Sequence, residues 1–153
     1  MYTIFLTIHS WLRWVALILA VCATVNAYLD RSESLERLPG KWWDILFMLA
    51  LDLQVLLGLA LYFGLSPFTT EGMHDLGAAI RNPALRFWTV EHILAMVGAA
   101  VLVRVGRVMA MTATSTAARR RRRLISFTLC TAVMVAGIPW PGLANGRPLF
   151  RIW

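Results

Sequence analysis

The chain has 153 residues, of which 59% are hydrophobic and 15% are charged. This is the length of a single domain, and soluble domains carry about 25% charged residues, so the composition excludes a soluble globule and a disordered polar tail. The net charge of +7 does not indicate nucleic-acid binding. Five of the fifteen basic residues form one run at positions 119–123 between apolar segments, where such runs set membrane topology. The sequence therefore predicts an integral membrane protein.

Four apolar segments follow one another along the chain, at residues 3–28, 42–63, 86–109 and 124–138. A helix needs roughly 20 apolar residues to cross the bilayer core, so the first three segments have spanning length. The fourth is shortened by Pro139 and Pro141. We expect an all-α, four-transmembrane-helix bundle that forms a single membrane domain over residues 1–153. The first segment is expected to stay as a helix and not to be cleaved as a signal peptide, because no basic residue precedes it.

Lysine and arginine are distributed unevenly between the connections. Ten of them lie at or beyond the C-terminal ends of the first and third segments, and four lie on the other side. Cytoplasmic loops of membrane proteins carry the excess of basic residues, so we expect both termini on the non-cytoplasmic side. The ten residues are Arg31, Arg37, Lys41, Arg104, Arg107 and the five arginines at 119–123.

Two histidines lie at the same expected depth in different helices. His9 and His92 are each six residues from the outer end of their segment, which places both roughly 9 Å below the same surface. Two imidazoles at one depth can reach a planar cofactor from opposite sides, and a haem iron accepts two axial ligands in that arrangement. We expect His9 and His92 to be iron ligands. The alternative is that each histidine forms a hydrogen bond to a neighbouring helix.

Small side chains continue the helix faces of these two histidines. Ala16 and Ala20 follow His9 on the first helix, and Ala99 follows His92 on the third. Small residues leave room for a flat ring, but they also let bare helices pack closely. Both interpretations remain open from the sequence.

Further charged residues are expected at membrane depth. Arg13 lies one turn below His9, at roughly 15 Å depth, and Asp52 lies about 20 Å from the outer surface. We expect these two to form a buried ion pair, because an unpaired charge in lipid is costly. The alternative is that Arg13 binds a cofactor carboxylate or a quinone carbonyl. Glu91 points about 100° away from His92 and is expected to pair with an arginine on the outer side. The alternative is that Glu91 is protonated and takes part in quinone chemistry.

The outer side holds two more groups of residues. Arg86, Arg147 and Arg151 are each expected to neutralise a haem propionate or to extend toward lipid headgroups. The connection at residues 66–85 contains Glu71, His74 and Asp75, whose spacing matches no strong metal motif. We therefore expect a solvated loop there.

Five stretches of the sequence are distinctive: residues 9–14 (HSWLRW), 52–63 (DLQVLLGLALYF), 81–92 (RNPALRFWTVEH), 137–141 (GIPWP) and 147–150 (RPLF). Together they resemble the small four-helix bacterial membrane proteins of the "cytochrome b" type. The resemblance covers nearly the whole chain except residues 111–123. It implies one haem b in a bundle within the bacterial cytoplasmic (inner) membrane, with His9 and His92 at the ligand positions.

The expected function is electron transfer through this single bis-histidine haem, to or from a quinone or a partner complex. The expected cofactor-binding residues are His9, His92, Arg13 and Arg86, and a quinone is a candidate second ligand. The expected partners are membrane lipid and either a larger electron-transfer complex or further copies of the chain, with no nucleic acid. We expect an electron-transfer protein, not a stand-alone enzyme.

Two other classes of function were weighed against this expectation. The chain can instead be a non-catalytic accessory subunit of a larger respiratory or photosynthetic membrane complex, in which His9 and His92 are structural or bind a pigment. A proton or small-solute carrier that uses Arg13, Asp52 and Glu91 is the weakest interpretation, because the sequence has no broken segments or inverted repeats.

Overall fold

The computed structural model describes residues 1–36 and 40–151, and all regular secondary structure in that part of the chain is helical. This confirms the predicted all-α class. The helices are α1 (Tyr2–Leu29), α2 (Lys41–Ala60), α3 (Pro67–His74), α4 (Leu76–Arg81), α5 (Pro83–Arg86), α6 (His92–Met111) and α7 (Thr116–Ala136). π-Helical turns at Leu61–Leu65 and Phe87–Glu91 extend α2 and lead into α6.

Three stretches are long and apolar enough to cross a membrane, namely Tyr2–Leu29, Lys41–Leu65 and Pro83–Met111. The fourth long helix, α7, does not meet that criterion, because five of its first eight residues are arginines. The described part of the chain is therefore helical with three candidate spans, which is compatible with a multi-pass membrane protein. Arg37, one of the basic residues used to predict the orientation, lies outside the described residues.

The four long helices form a ring. α1 packs against α2 and α7, and α6 packs against α7 and α2. The helices α1 and α6 are therefore diagonal to each other, and side chains on their inner faces meet at the centre of the bundle. This arrangement is what brings the two histidines together.

The small residues of α1 and α6 pack the helices and do not line a cofactor space. Ala16, Ala20 and Ala99 are fully buried members of the hydrophobic core, in which Phe47 and Phe127 meet edge to face with ring centroids 6.0 Å apart. Small side chains let helices approach closely. Of the two interpretations open from the sequence, close helix packing is the one that the structure supports for these alanines.

The helix α7 begins earlier than the predicted segment 124–138. Its N-cap is Ser115, whose side chain accepts a hydrogen bond from the backbone N–H of Ala118. The arginines at 119–123 are therefore helical and do not form a connecting loop. The predicted start at residue 124 was wrong, because the apolar pattern marks only the part of the helix that faces hydrocarbon.

The connection at residues 66–85 also differs from its prediction. It forms the three short helices α3, α4 and α5 instead of a loop. Asp75 and Asn82 cap α4 and α5 by accepting backbone N–H bonds, and Pro67 and Pro83 occupy the first positions of α3 and α5. These are ordinary helix-start signals, which the sequence analysis did not use. Most of the side chains remain exposed.

Candidate functional site

His9 and His92 lie next to each other at the centre of the bundle. Their ring centroids are 6.3 Å apart, and their ring planes make an angle of 71°. His9 is in α1, and His92 is the first residue of the diagonal helix α6. The third histidine, His74, is exposed at the end of α3. The structure therefore brings together the two histidines that the depth count singled out.

A backbone carbonyl fixes the orientation of the His92 ring. The Nδ1 of His92 lies 2.8 Å from the carbonyl oxygen of Gly137. A carbonyl can only accept, so Nδ1–H donates this bond, and Nε2 of the neutral ring keeps its lone pair. Gly137 is the first residue of the C-terminal segment (residues 137–151), which follows α7. Such an Nδ1–H bond to a backbone carbonyl is typical of histidines that bind a metal through Nε2.

The His9 ring packs against α2. Gln54 Nε2 donates a hydrogen bond of 3.2 Å to His9 Nε2. Among the described residues, the buried Nδ1 of His9 has no hydrogen-bond partner. Gly58 lies against the same ring, and a Cβ atom at this position would be 3.2 Å from His9 Cε1. The sequence analysis did not connect Gln54 or Gly58 with His9.

Both imidazoles form part of the wall of a cavity of about 120 Å³. The remaining wall comes from the outer halves of α1 and α2, from α3, from the π-helical turn before α6, and from the residues around and after the end of α7. Most of these side chains are apolar or aromatic, as in other ligand sites. A second cavity of about 40 Å³ lies between α2 and α6 and also reaches both histidines.

Arg13 lines the larger cavity but does not pair with Asp52, so the predicted ion pair was wrong. Its Nη2 donates to the Leu149 carbonyl at 2.7 Å, and its guanidinium lies 5.0 Å from the Trp14 ring centroid. Asp52 points elsewhere and forms an ion pair with Arg104. Asp52 and Gln54 therefore face different sides of α2, because residues two apart on a helix are separated by about 200° around its axis.

Arg86 does not line the cavity. It forms an ion pair with Glu91, with 2.6 Å between Nε and Oε1, and this matches the prediction that Glu91 pairs with an arginine on the outer side. Arg147 and Arg151 do line the cavity. Of the arginines expected near the cofactor, Arg13, Arg147 and Arg151 line the cavity and Arg86 does not.

The C-terminal segment is held against α1 by side-chain donors. Arg13 and Trp14 both donate to the carbonyl of Leu149, and Trp11 Nε1 donates to the carbonyl of Arg151 at 3.0 Å. Arg13 is roughly 15 Å along α1, so the non-helical backbone of the C-terminal segment runs beside the N-terminal part of this candidate span. Such backbone is tolerated at membrane depth only where protein satisfies its polar groups. The sequence analysis did not assign these residues this role.

Two imidazoles carried by diagonal helices are residues that could hold a haem iron between them. A metal–imidazole bond of about 2.0 Å on each side, plus about 1.1 Å from each nitrogen to its ring centroid, gives roughly 6.2 Å between centroids. The observed 6.3 Å agrees with this separation, and it also lies within the roughly 4.5–7 Å range of ordinary contacts between two rings. Nε2 of His92 is left with its lone pair. In His9 the Nε2 lone pair accepts from Gln54, so Nδ1, which has no partner among the described residues, carries the hydrogen, and His9 could bind iron through Nε2 only after the Gln54 amide turns away.

Within the described ranges, no group of three or more histidine, cysteine, aspartate or glutamate side chains converges as on a free metal ion. Comparisons with protein families, with curated proteins and with solved structures find no match to this chain.

Proposed function

We propose that this chain is a membrane-embedded b-type cytochrome that carries single electrons on one haem b held between His9 and His92. The observation that carries the proposal is the 6.3 Å separation of the two imidazoles, which suits two ligands of one iron. The resemblance of the sequence to small "cytochrome b" membrane proteins points the same way. With both axial positions filled, the site suits electron transfer and not oxygen binding.

The haem, when bound, supplies an iron that changes oxidation state by one electron. The chain supplies the ligands and their surroundings. Gly137 accepts the Nδ1–H of His92 and fixes that ring, while Gln54 and the close approach at Gly58 fix the ring of His9. The apolar walls exclude water and so strengthen the electrostatic interaction of nearby charges with the haem. The ligands, their hydrogen bonds and this apolar environment together set the redox potential.

We also propose that α7 completes a four-transmembrane bundle with both termini on the non-cytoplasmic side of a bacterial inner membrane. The apolar part of α7 begins at Leu124 and ends near the level of His92, and the C-terminal segment continues to the outer surface. The excess of lysine and arginine at the opposite end supports this orientation.

The electron partner is proposed to be a quinol or a protein. The cavity between α2 and α6 supports a lipid-soluble partner, because it is almost wholly apolar and reaches both histidines from between two membrane helices. The other partners remain predictions, namely membrane lipid and either a larger complex or a second copy of the chain. The alternative function, an accessory subunit of a respiratory or photosynthetic complex, also remains a prediction.

The test of the haem proposal is a visible spectrum of the detergent-purified protein, reduced with dithionite. We expect the sharp α band of a six-coordinate b-type haem. His9→Ala and His92→Ala should each abolish this band, because each removes one axial ligand. The matched control is His74→Ala, which changes an exposed histidine and should leave the band unchanged. Folded protein that copurifies with a larger complex but has no haem absorption would support the accessory-subunit alternative instead.

A further inference from the structure

The larger cavity has an unbalanced charge. Among the described residues, its wall contains three arginines, Arg13, Arg147 and Arg151, and no aspartate or glutamate. By contrast, Arg86, at the same end of the molecule but outside this wall, is paired with a carboxylate. Cations held in an apolar cavity without counter-charges favour an anionic ligand.

The present contacts of these arginines are all with neutral groups. The guanidinium of Arg147 lies over two aromatic rings, 4.7 Å from the centroid of Phe68 and 5.3 Å from that of Trp88. Stacking uses the face of a guanidinium and leaves the N–H groups at its edge free for an acceptor. Arg13 donates through Nη2 to a backbone carbonyl, and its buried Nε has no partner in the described part of the chain.

Two of the three arginines belong to the C-terminal segment, which closes the cavity from the outer side. The Arg147 guanidinium packs on Phe68 and Trp88, and the backbone of Arg151 is bonded to Trp11 through its carbonyl, so each arginine of the wall is anchored by its own contact. A ligand that spans them would carry two negative groups at one end. A haem has this form, with an apolar ring and two propionate carboxylates on one edge.

We infer that Arg147 and Arg151 bind the two propionates of the haem and that Arg13 adds positive charge below them. This inference rests on the proposed function and assigns the carboxylate-binding role to residues other than Arg86. Charge-assisted bonds between arginine and a carboxylate are among the stronger hydrogen bonds in proteins, so their removal should be measurable as a loss of affinity.

The test compares two ligands on the haem-free full-length protein. Haem and haem dimethyl ester, in which both carboxylates are esterified, are titrated separately and followed by the Soret band. We expect the wild-type protein to bind haem at least about tenfold more tightly than the ester. In the double variant Arg147→Gln and Arg151→Gln, the two affinities should differ by less than about threefold. The matched control Arg81→Gln removes an exposed arginine outside the cavity and should keep the wild-type preference.

The outcomes separate the two proposals. If the double variant binds the ester with the affinity of the wild-type protein, the variant is folded. The comparison of haem with its ester on the wild-type protein tests the inference without any variant. The inference is overturned if wild-type protein binds both ligands equally, or if the double variant keeps the full preference for haem, while the spectrum remains six-coordinate. If neither ligand gives a six-coordinate spectrum, both the proposed function and the inference about Arg147 and Arg151 fail.

Discussion

Three residues without redox chemistry of their own set the positions of the two imidazoles. Gln54 donates to His9, the carbonyl of Gly137 accepts from His92, and Gly58 lets the His9 ring lie directly against α2. Ligand orientation controls the affinity and potential of a bound metal, so these neighbours matter as much as the ligands.

Gly58 and Gly98 provide a matched pair for testing the close approach. Both are in the interior of a long helix, but a Cβ at Gly98 would meet no atom within 4 Å, whereas one at Gly58 would meet His9 at 3.2 Å. Alanine improves helix propensity by roughly 0.5–1 kcal/mol at either position. We expect Gly98→Ala to raise the thermal midpoint in detergent and Gly58→Ala to raise it less or to lower it. Equal midpoints for the two variants would show that His9 does not need the space.

The position of His9 and His92 could be predicted, because the rise of a helix converts residue number into depth. The partner of Arg13 could not be predicted in the same way. The depth of a residue does not say which neighbouring helix its side chain faces. Asp52 pairs with Arg104, a residue that the sequence analysis had assigned to the cytoplasmic connection. The carbonyl of Leu149 is 136 residues away in the chain and has no side-chain signal at all.

At the level of helices, a buried ion cluster ties α7 to α2 and to the end of α1. Arg123 is almost fully buried and bonds Asp44 at 2.7 Å and Asp30 at 3.0 Å, and Arg107, on α6, also bonds Asp44 at 3.2 Å. Asn26 accepts a further bond from Arg123. Two positive and two negative side chains balance, which is the condition under which buried charges are tolerated.

The cluster predicts an unequal response to two similar substitutions. Asp44→Asn leaves Arg123 buried with less counter-charge, so it should reduce the free energy of unfolding by about 3–5 kcal/mol. The control Glu91→Gln removes the half-exposed partner of Arg86 and should cost no more than about 1 kcal/mol. Both values come from denaturant unfolding in detergent followed by circular dichroism. Similar losses for the two variants would contradict a structural role for the cluster.

The sequence alone indicated the four apolar segments but not this cluster. Hydropathy marks where a helix contacts hydrocarbon, so it placed the start of α7 at residue 124 and read the arginines only as an orientation signal. Whether an arginine such as Arg123 is buried depends on acceptors from distant parts of the chain, here Asp30 and Asp44.

The molecule as a whole is a ring of four long helices, one of which, α7, is followed by a non-helical segment. Because α7 ends at Ala136, near the level of His92, the C-terminal segment continues along α1 and closes the cavity. This arrangement explains why the polar residues of the HSWLRW stretch have two roles. His9 is a proposed ligand, whereas Trp11, Arg13 and Trp14 hold the segment.

The proposed orientation is open to a labelling test. In a variant whose Cys22 and Cys130 are replaced by serine, single cysteines are introduced as Ser34→Cys and Ala144→Cys. In intact spheroplasts, a membrane-impermeant maleimide should label Cys at 144 and leave Cys at 34 unlabelled until the membrane is permeabilised. The reverse pattern would contradict the orientation, and labelling of both sites before permeabilisation would contradict the four-span bundle.

The most direct measurement is the low-temperature electron paramagnetic resonance spectrum of the oxidised, detergent-purified protein, together with its iron content. Two imidazoles on one iron predict a low-spin ferric signal and one haem per chain. A high-spin ferric signal would contradict the proposal of two histidine ligands, because it indicates at most one. The proposal would also be contradicted by folded protein that binds no haem when haem is supplied.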